Sequence, residues 1–480
     1  MEDRNLECIS NTDPDLMHMF KSYALKMEEQ SLPPIVVNLF KCYFSQLLYG
    51  SQGKLTRQEI QPVRESELES LDSIAGYKEY APEAIPELAI IKLNGGLGTS
   101  MGLEKAKSLI QARNNKTFLD LIVEQIKKLR EYYQAPIPLM FMNSFRTHMD
   151  TMLHVQDVGN PHHLPQAFLQ HKYPKIMAED LSPAKWPENP ELEWNPPGHG
   201  DIYTALITSG VLKNLLDKGY KYAFISNSDN LGANMDESIL GYMKAKEFTF
   251  LMEVTPRTAN DRKGGHLCRL VKNNRLALRE IAQCPENELE EFMDVEKYSF
   301  FNTNSIWLNL EALEKVFVEH RMIPLDLIIN TKNLDPRNSN SPQVYQLETA
   351  MGSAISAFND AGALNVPRHR FAPVKTTSDL LAVKSDLYQL TELMTIIPNP
   401  ERKTSMPDIH LDPKFYKKID QFEERFQYIP SLLECDQLII EGDVVFGKDV
   451  KLRGKVHIIN NTGRQVSIEE GSVLEGEVNF

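Results

Sequence analysis

The residues of this chain best suited to handling a phosphate begin in one stretch, Leu88 to Ile110, which reads LAIIKLNGGLGTSMGLEKAKSLI. An apolar run of β-type residues, Leu88 to Leu93, stops at Asn94-Gly95-Gly96. The chain then passes Gly98 and Gly102 before Lys107-Ser108 and an apolar stretch of helical character. Glycine admits positive φ and close approach, and successive exposed N–H groups in such a turn form an anion nest. A strand, a glycine-rich loop and then a lysine make a candidate phosphate cradle; a tight strand–turn–helix connection without a ligand would use the same residues. Two familiar phosphate loops fit poorly. A P-loop has Gly directly before Lys-Ser, where this chain has Ala106. The dinucleotide fingerprint G-x-G-x-x-G is stretched by one residue across Gly96, Gly98 and Gly102. Asp120 falls where a ribose-binding acid belongs, but Thr117-Phe118-Leu119-Asp120 reads as a capped helix start.

A second cluster follows the short apolar run Lys221 to Ser226: Asn227-Ser228-Asp229-Asn230. Such side chains favour Asx-turns. They also put a carboxylate at the mouth of a sheet, where a phosphate-bound Mg²⁺ needs one or two oxygen ligands. Taken with the glycine loop, they point to a nucleotide–metal site. Between the two clusters, Ser182 to Gly200 is rich in proline and ends in Pro196-Pro197-Gly198-His199-Gly200-Asp201, a shaped loop rather than a helix. His199 there can donate to a substrate oxygen or simply face solvent. Lys263-Gly264-Gly265 and the run Phe371 to Thr377, with Lys375, each set a lysine in an irregular segment. The other histidines, His162-His163 included, lack metal-ligand spacing and read as structural.

Elements to hold these residues alternate from Leu88 to about Leu387. Strand-like runs Pro136 to Asn143, Lys221 to Ser226 and Phe248 to Val254 join a helix from Phe118 to about Tyr132, which predicts a largely parallel α/β sheet. Ligands gather beyond the carboxyl ends of such strands, which singles out Asn94, Asn143 and 227–230. Residues 1–85 read as helices packed on the main domain, 86–390 as the catalytic domain, and 391–480 as a connector and tail. In the tail Val444, Val450 and Val456 recur every six residues among regularly placed glycines, the pattern of a left-handed parallel β-helix suited to assembly or capping.

The chain has 480 residues, 42% of them hydrophobic and 25% charged, which suits a globular protein of two or three domains. A net charge of −14 argues against general binding of nucleic acid or anionic membranes, while leaving room for a local basic pocket. Five widely spaced cysteines with no C-x-x-C pair suggest reduced thiols rather than a zinc site or disulfide framework. The acidic start MEDRNLECIS is not a secretory signal, and no apolar run is long enough to span a bilayer, so a cytoplasmic location is expected.

Together the segments form a recognisable set: KLNGGLGTSMG at 92–102, KSLI at 107–110, MNSF at 142–145, YPKI at 173–176 and PPGHGDIY at 196–203. The set continues with SNSDNLGA at 226–233, KGG at 263–265, EIAQ at 280–283, FNTNSIW at 301–307 and PVKTTSDLL at 373–381. With these the chain resembles the eukaryote-type UTP–glucose-1-phosphate uridylyltransferases, also called UDP-glucose pyrophosphorylases, from about residue 85 to the end. The resemblance implies a Rossmann-like, GT-A-like nucleotidyltransferase domain with a mixed sheet, N-terminal helices and a C-terminal left-handed β-helix. It also implies a reversible, Mg²⁺-dependent reaction of UTP and glucose 1-phosphate giving UDP-glucose and pyrophosphate.

Carried over by motif, Leu93, Asn94, Gly95 and Gly96 would hold the uracil and nucleotide backbone, with both glycines near the sugar phosphate. Gln170 and Gly198 would contact the base. His199 and Asn227 would face the sugar phosphate or ribose, and Asp229 would ligate Mg²⁺. Glu280, Asn302 and Asn304 would bind glucose hydroxyls. Lys107 and Lys375 would hold the reacting phosphates, with Lys263 assisting from a mobile loop. The family commonly has Gly-Pro before the loop lysine; Lys105-Ala106 stand here instead, removing one source of rigidity from its approach. A homo-oligomer through the C-terminal domain is a further expectation. Competing readings are a broader UDP-sugar or UDP-N-acetylhexosamine pyrophosphorylase, an NAD(P)-dependent oxidoreductase using the glycine loop, and a non-catalytic UDP-sugar sensor.

Overall fold

Every residue of Leu88–Asn94 is buried, so that strand has no solvent face and belongs inside a sheet covered on both sides. It runs parallel to Tyr222–Asn227 on one side and Leu139–Asn143 on the other, with Ala167–Leu169 beyond. Past Tyr222–Asn227 lies the long antiparallel strand Phe300–Asn309, then Phe250–Pro256, Ala361–Asn365 and, at the edge, Glu69–Ser70. The hairpin of His266–Leu270 and Leu276–Arg279, joined by Ile60–Pro62, branches from Phe300–Asn309. The result is an eleven-stranded sheet, mixed rather than largely parallel. The structure is a computed structural model and describes residues 13–480 apart from 51–52, 157, 259–260 and 324. Cys8 and the N-terminal decapeptide lie outside the described residues.

One core fills each face of the sheet. The helix Phe118–Tyr133 sets Leu119, Ile122, Ile126 and Leu129 into one of them, and Thr117 and Asp120 form its capping box. Asp120 is thus occupied by a cap, as its spacing implied. The stretch after Lys107 departs from expectation. Lys107–Leu109 is a single 3₁₀ turn, followed by a hairpin of Gln111–Arg113 and Lys116–Thr117. Asn114 and Asn115, at φ 50° and 57°, reverse the chain before a helix can start. The glycine loop therefore feeds no α-helix, and any anion it holds must be met by backbone N–H groups and lysine rather than a helix terminus.

At the N-terminus, helices Pro14–Glu29 and Pro34–Leu48 pack Phe20, Tyr23, Phe40 and Phe44 against Tyr173, Ile176 and Trp194 of the main body. The all-helical reading of 1–85 fails at Ile60–Pro62 and Glu69–Ser70, which are strands of the large sheet. Segments of three and two residues carry no periodicity, so only their pairing partners make them strands. Cys268, Cys284 and Cys435 are free and buried. Cys42 is disulfide-bonded, against the expectation of reduced thiols, because folding rather than sequence interval decides which thiols meet. At the C-terminus, Asp408–Leu411, Ser431–Glu441, Lys451–Ile459 and Val473–Asn479 make one parallel sheet, and Val444–Phe446 with Val466–Ile468 make a second. Val444, Val450 and Val456 all point into the core between them. Among the described residues no helix is long and apolar enough to cross a membrane.

Candidate active site

The carboxyl ends of the parallel strands converge on Asn94, Asn143 and Asn227. Asn94 is buried, and its whole side chain is engaged. Its amide donates to Asn143 Oδ1 and Thr151 Oγ1, both at 2.8 Å, and its carbonyl oxygen accepts from Ser108 and from Ser228 at 3.0 Å. Ser108 follows Lys107 and Ser228 precedes Asp229, so Asn94 fixes the two segments that carry opposite charges. Lys107 Nζ meets Asp229 Oδ2 at 2.5 Å, both side chains largely buried. The Asn94 side chain thus positions its neighbours.

The glycine excursion is closed by a bridge between Leu97 and Ala106 and by Lys107 N–H donating to Gly96 O at 3.1 Å. Ala106 adopts the backbone conformation that a proline would take. Its φ is −53°, close to proline's own value, and its N–H donates to Asp150 Oδ2 at 3.2 Å. Lys105 beside it is exposed.

Toward the base end, a β-carbon at Gly95 would stand 2.4 Å from Gln170 Oε1. Gln170 Nε2 donates to Gly198 O at 3.2 Å. Gly198 itself sits at φ +80°, pressed on the Thr349 backbone with 2.4 Å left for a β-carbon, so no other residue fits there. His199 Nδ1 accepts the Met351 N–H at 3.0 Å. That bond leaves Nε2 as the protonated nitrogen, and burial lowers the ring pKa to about 4. His199 is therefore a neutral hydrogen-bond donor at any ordinary pH.

The sugar end is built by close approach rather than by a hydrogen-bond hub. A β-carbon at Gly265 would lie 2.6 Å from the Glu280 carboxylate, and one at Gly352 would lie 2.8 Å from Asn302 Nδ2. Asn302 N–H donates to Gly265 O at 3.3 Å. A register shift in the Phe300–Asn309 ladder brings Asn302 and Asn304 side by side, with Asn302 Nδ2 donating to Asn304 Oδ1 at 3.0 Å and Asn304 at φ +56°. Burial raises Glu280 to about 7, with the Lys375 charge pulling the other way.

Lys375 joins the two ends. Its segment is sutured to the aspartate loop by an Asn230–Pro373 bridge and by Val374 N–H donating to Asp229 O at 3.2 Å. It also lines a cavity of about 780 Å³ between Phe371–Asp379 and residues 404–408. The sequence-derived residues thus form one ring, running through Gly95, Gln170, Gly198, His199, Asn302, Glu280, Lys375, Asp229, Lys107 and back to Asn94. Leu93 and Asn227 are register partners in its floor, and Gly96 faces open space. Lys263 stands on the rim, exposed, on a loop that Arg257 ties down by donating to the Asp261 and Arg262 carbonyls.

Asp229 Oδ1 is buried without a hydrogen-bond partner. Among the described residues no group of three or more His, Cys, Asp or Glu could enclose a metal. A divalent cation here would take Asp229 from the protein and its remaining oxygens from phosphate and water, which suits Mg²⁺.

A buried charge cluster beneath the floor went unread in the sequence. Lys92 donates to Ser226 Oγ at 2.7 Å and Ala233 O at 2.9 Å, and burial, helped by Arg370 and opposed by Glu253, lowers it to about 7. Glu253 takes two bonds from Arg370 and one from Trp307 Nε1. A lysine inside LAIIKLN and a glutamate inside FLMEV were the available signals.

Sheet order, glycine loop and the lysine–aspartate pair define an α/β protein whose strand ends enclose a site for a polyanion. The family model for UTP–glucose-1-phosphate uridylyltransferase matches residues 37–453. UTP–glucose-1-phosphate uridylyltransferase 2 of Dictyostelium discoideum is 39% identical over 99% of this chain and 91% of its own. The Solanum tuberosum enzyme is 42% identical over 91% and 90%. A mutant UDP-glucose pyrophosphorylase from Leishmania major, solved in complex with UDP-glucose, superposes with a TM-score of 0.89 at 39% identity, covering 96% of this chain and 99% of that one. The Trypanosoma brucei structure gives 0.87 at 40%, covering 96% and 100%. The chain belongs to the UTP–glucose-1-phosphate uridylyltransferase family.

Proposed function

We propose that this chain transfers the uridylyl group of UTP to glucose 1-phosphate, reversibly, forming UDP-glucose and pyrophosphate. The observation that carries the reading is the meeting of Lys107, Asp229 and the Lys375 segment at the carboxyl ends of one sheet. A phosphate oxygen of glucose 1-phosphate attacks the α-phosphorus of UTP, and the bond from that phosphorus to the bridging oxygen breaks opposite it, releasing pyrophosphate. The attacking phosphate is already an anion, so no protein nucleophile is needed, and the protein's work is positioning and charge neutralisation. Lys375 holds the two anions together, and Lys107 meets charge growing on the leaving pyrophosphate. Gly95, Gln170 and Gly198 face the base, and His199 offers Nε2–H to ribose or phosphate. Glu280, Asn302 and Asn304 take the glucose hydroxyls. Asp229 would hold Mg²⁺, which when bound supplies further neutralisation of phosphate charge.

The catalytic sheet suits a GT-A-like nucleotidyltransferase, and the paired C-terminal parallel sheets suit turns of a left-handed β-helix. The last strand of that coil, Val473–Asn479, is an exposed edge on which a second copy would add. The test of the activity is pyrophosphate release from UTP with glucose, galactose, xylose and N-acetylglucosamine 1-phosphates, with and without Mg²⁺. Glucose 1-phosphate should be strongly preferred and Mg²⁺ required. Protection from thermal unfolding by NAD(P) but not by UTP with Mg²⁺ would overturn the reading.

A further inference from the structure

The loops that carry Gln170 and His199 are cross-linked twice, in opposite senses. The Gln170 side chain donates to the backbone of the other loop at Gly198 O, 3.2 Å away. In return, the Asp201 carboxylate accepts the backbone N–H of His171 at 2.7 Å, which is the N–H of Gln170's own peptide unit. The same carboxylate faces His171 Nδ1 at 2.9 and 3.0 Å, and His171 Nε2 lies 3.0 Å from Thr208 Oγ1 on the helix Ile202–Thr208. The Asp201 side chain is 1% exposed and that of His171 9%. On its other side, Gln170 N–H donates to Asn143 O at 2.8 Å, at the end of the sheet strand. The Gln170 backbone is therefore gripped before and after the residue, once by the sheet and once by a buried carboxylate. That carboxylate sits two positions from His199.

We propose that Asp201 and His171 are positioning residues for nucleobase recognition: their pair sets the spacing between Gln170 and the Gly198–His199 turn, and with it the fit of the base. The proposal rests on the reading that Gln170 and Gly198 face the base. Neither Asp201 nor His171 is needed at the reacting phosphates, which lie across the ring beside Lys107. A loosened clamp thus acts on UTP capture and base choice and spares the chemical step. A charge-assisted hydrogen bond to a buried partner is worth enough to move affinity about tenfold.

The test compares steady-state kinetics and melting temperature of the full chain with those of Asp201→Asn, His171→Ala and Gln170→Ala, using UTP and CTP. Asp201→Asn should raise the UTP KM about tenfold and narrow the UTP-over-CTP preference, with kcat at saturation within about threefold and the glucose 1-phosphate KM unchanged. His171→Ala leaves the backbone N–H to Asp201 and should show a smaller shift of the same kind, which keeps the test open if Asp201→Asn does not fold. A folded clamp variant with wild-type UTP KM and base preference, or one losing kcat alone, overturns the proposal when Gln170→Ala does shift base preference. If Gln170→Ala also leaves base preference unchanged, the base-site reading falls and the clamp with it.

Discussion

The phosphate end and the sugar end of the site are made in different ways. Around Lys107 and Asp229 the side chains are fastened by one buried hub, Asn94, whose partners lie 14, 49, 57 and 134 residues away in sequence. Around Glu280 and Asn302 the fastening is by close approach and local bonds: glycines let a carboxylate and an amide press against backbone, and a bulge turns Asn304 beside Asn302, its hydrogen-bond partner two residues away. Charges that attract one another need directional bonds to hold them at a working separation, whereas groups that read hydroxyls need a desolvated wall of fixed shape. Burial disfavours charge at the sugar end and at the base end alike: it raises Glu280 to about 7 and keeps His199 neutral down to about 4.

The largest effect is expected at the residue joining the two ends. Lys375→Ala should lose about 10²–10³ in kcat with an unchanged melting temperature, since a preorganised charge contact is removed from the transition state. Near-wild-type turnover would take the lysine out of the chemistry. Next comes the hub itself. Asn94→Ala leaves Asn143 Oδ1, two serine hydroxyls and Thr151 Oγ1 short of a buried partner, and should cost about 2–4 kcal/mol of stability along with most of the activity. Denaturant unfolding measures it, and a change below about 0.5 kcal/mol would deny Asn94 its role.

A smaller effect tests the sugar end. Because the folded-state pKa of Glu280 is raised from 4.5 to about 7, the folded chain binds this proton more tightly than the unfolded chain does. Its contribution to stability is therefore lost as pH rises from about 4.5 to about 7. Glu280→Gln should remove that slope. It should also abolish the rise in glucose 1-phosphate KM expected of the wild type below about pH 7, where the carboxylate becomes a neutral acid. Parallel profiles for the two proteins would mean that Glu280 does not take a hydroxyl as a carboxylate.

The apolar runs from Leu88, Leu139, Tyr222 and Phe250 were legible because buried strands must be continuously apolar, and their ends then pointed to Asn94, Asn227 and Asp229. The strands Ile60–Pro62 and Glu69–Ser70 were not legible, since their identity lies in partners some 200 to 300 residues away, such as Leu270 and Leu364. Lys107 and Asp229 were each singled out, but their direct contact depends on Asn94's distant serine partners, which no spacing announces. Asp201 stood in plain view in PPGHGDIY, yet its task became visible only when the loop of His171 folded against it.

Lys107 and Asp229 act as one electrostatic unit, whereas Asn302 at the sugar end acts independently of Asp229. Two double-mutant cycles in kcat/KM test this most directly: Asp229→Ala combined with Lys107→Ala, and Asp229→Ala combined with Asn302→Ala. The first pair should depart from additivity by more than about 1 kcal/mol, while the second should add within about 0.5 kcal/mol. Additivity of Lys107 with Asp229, or equal coupling in both cycles, would contradict this.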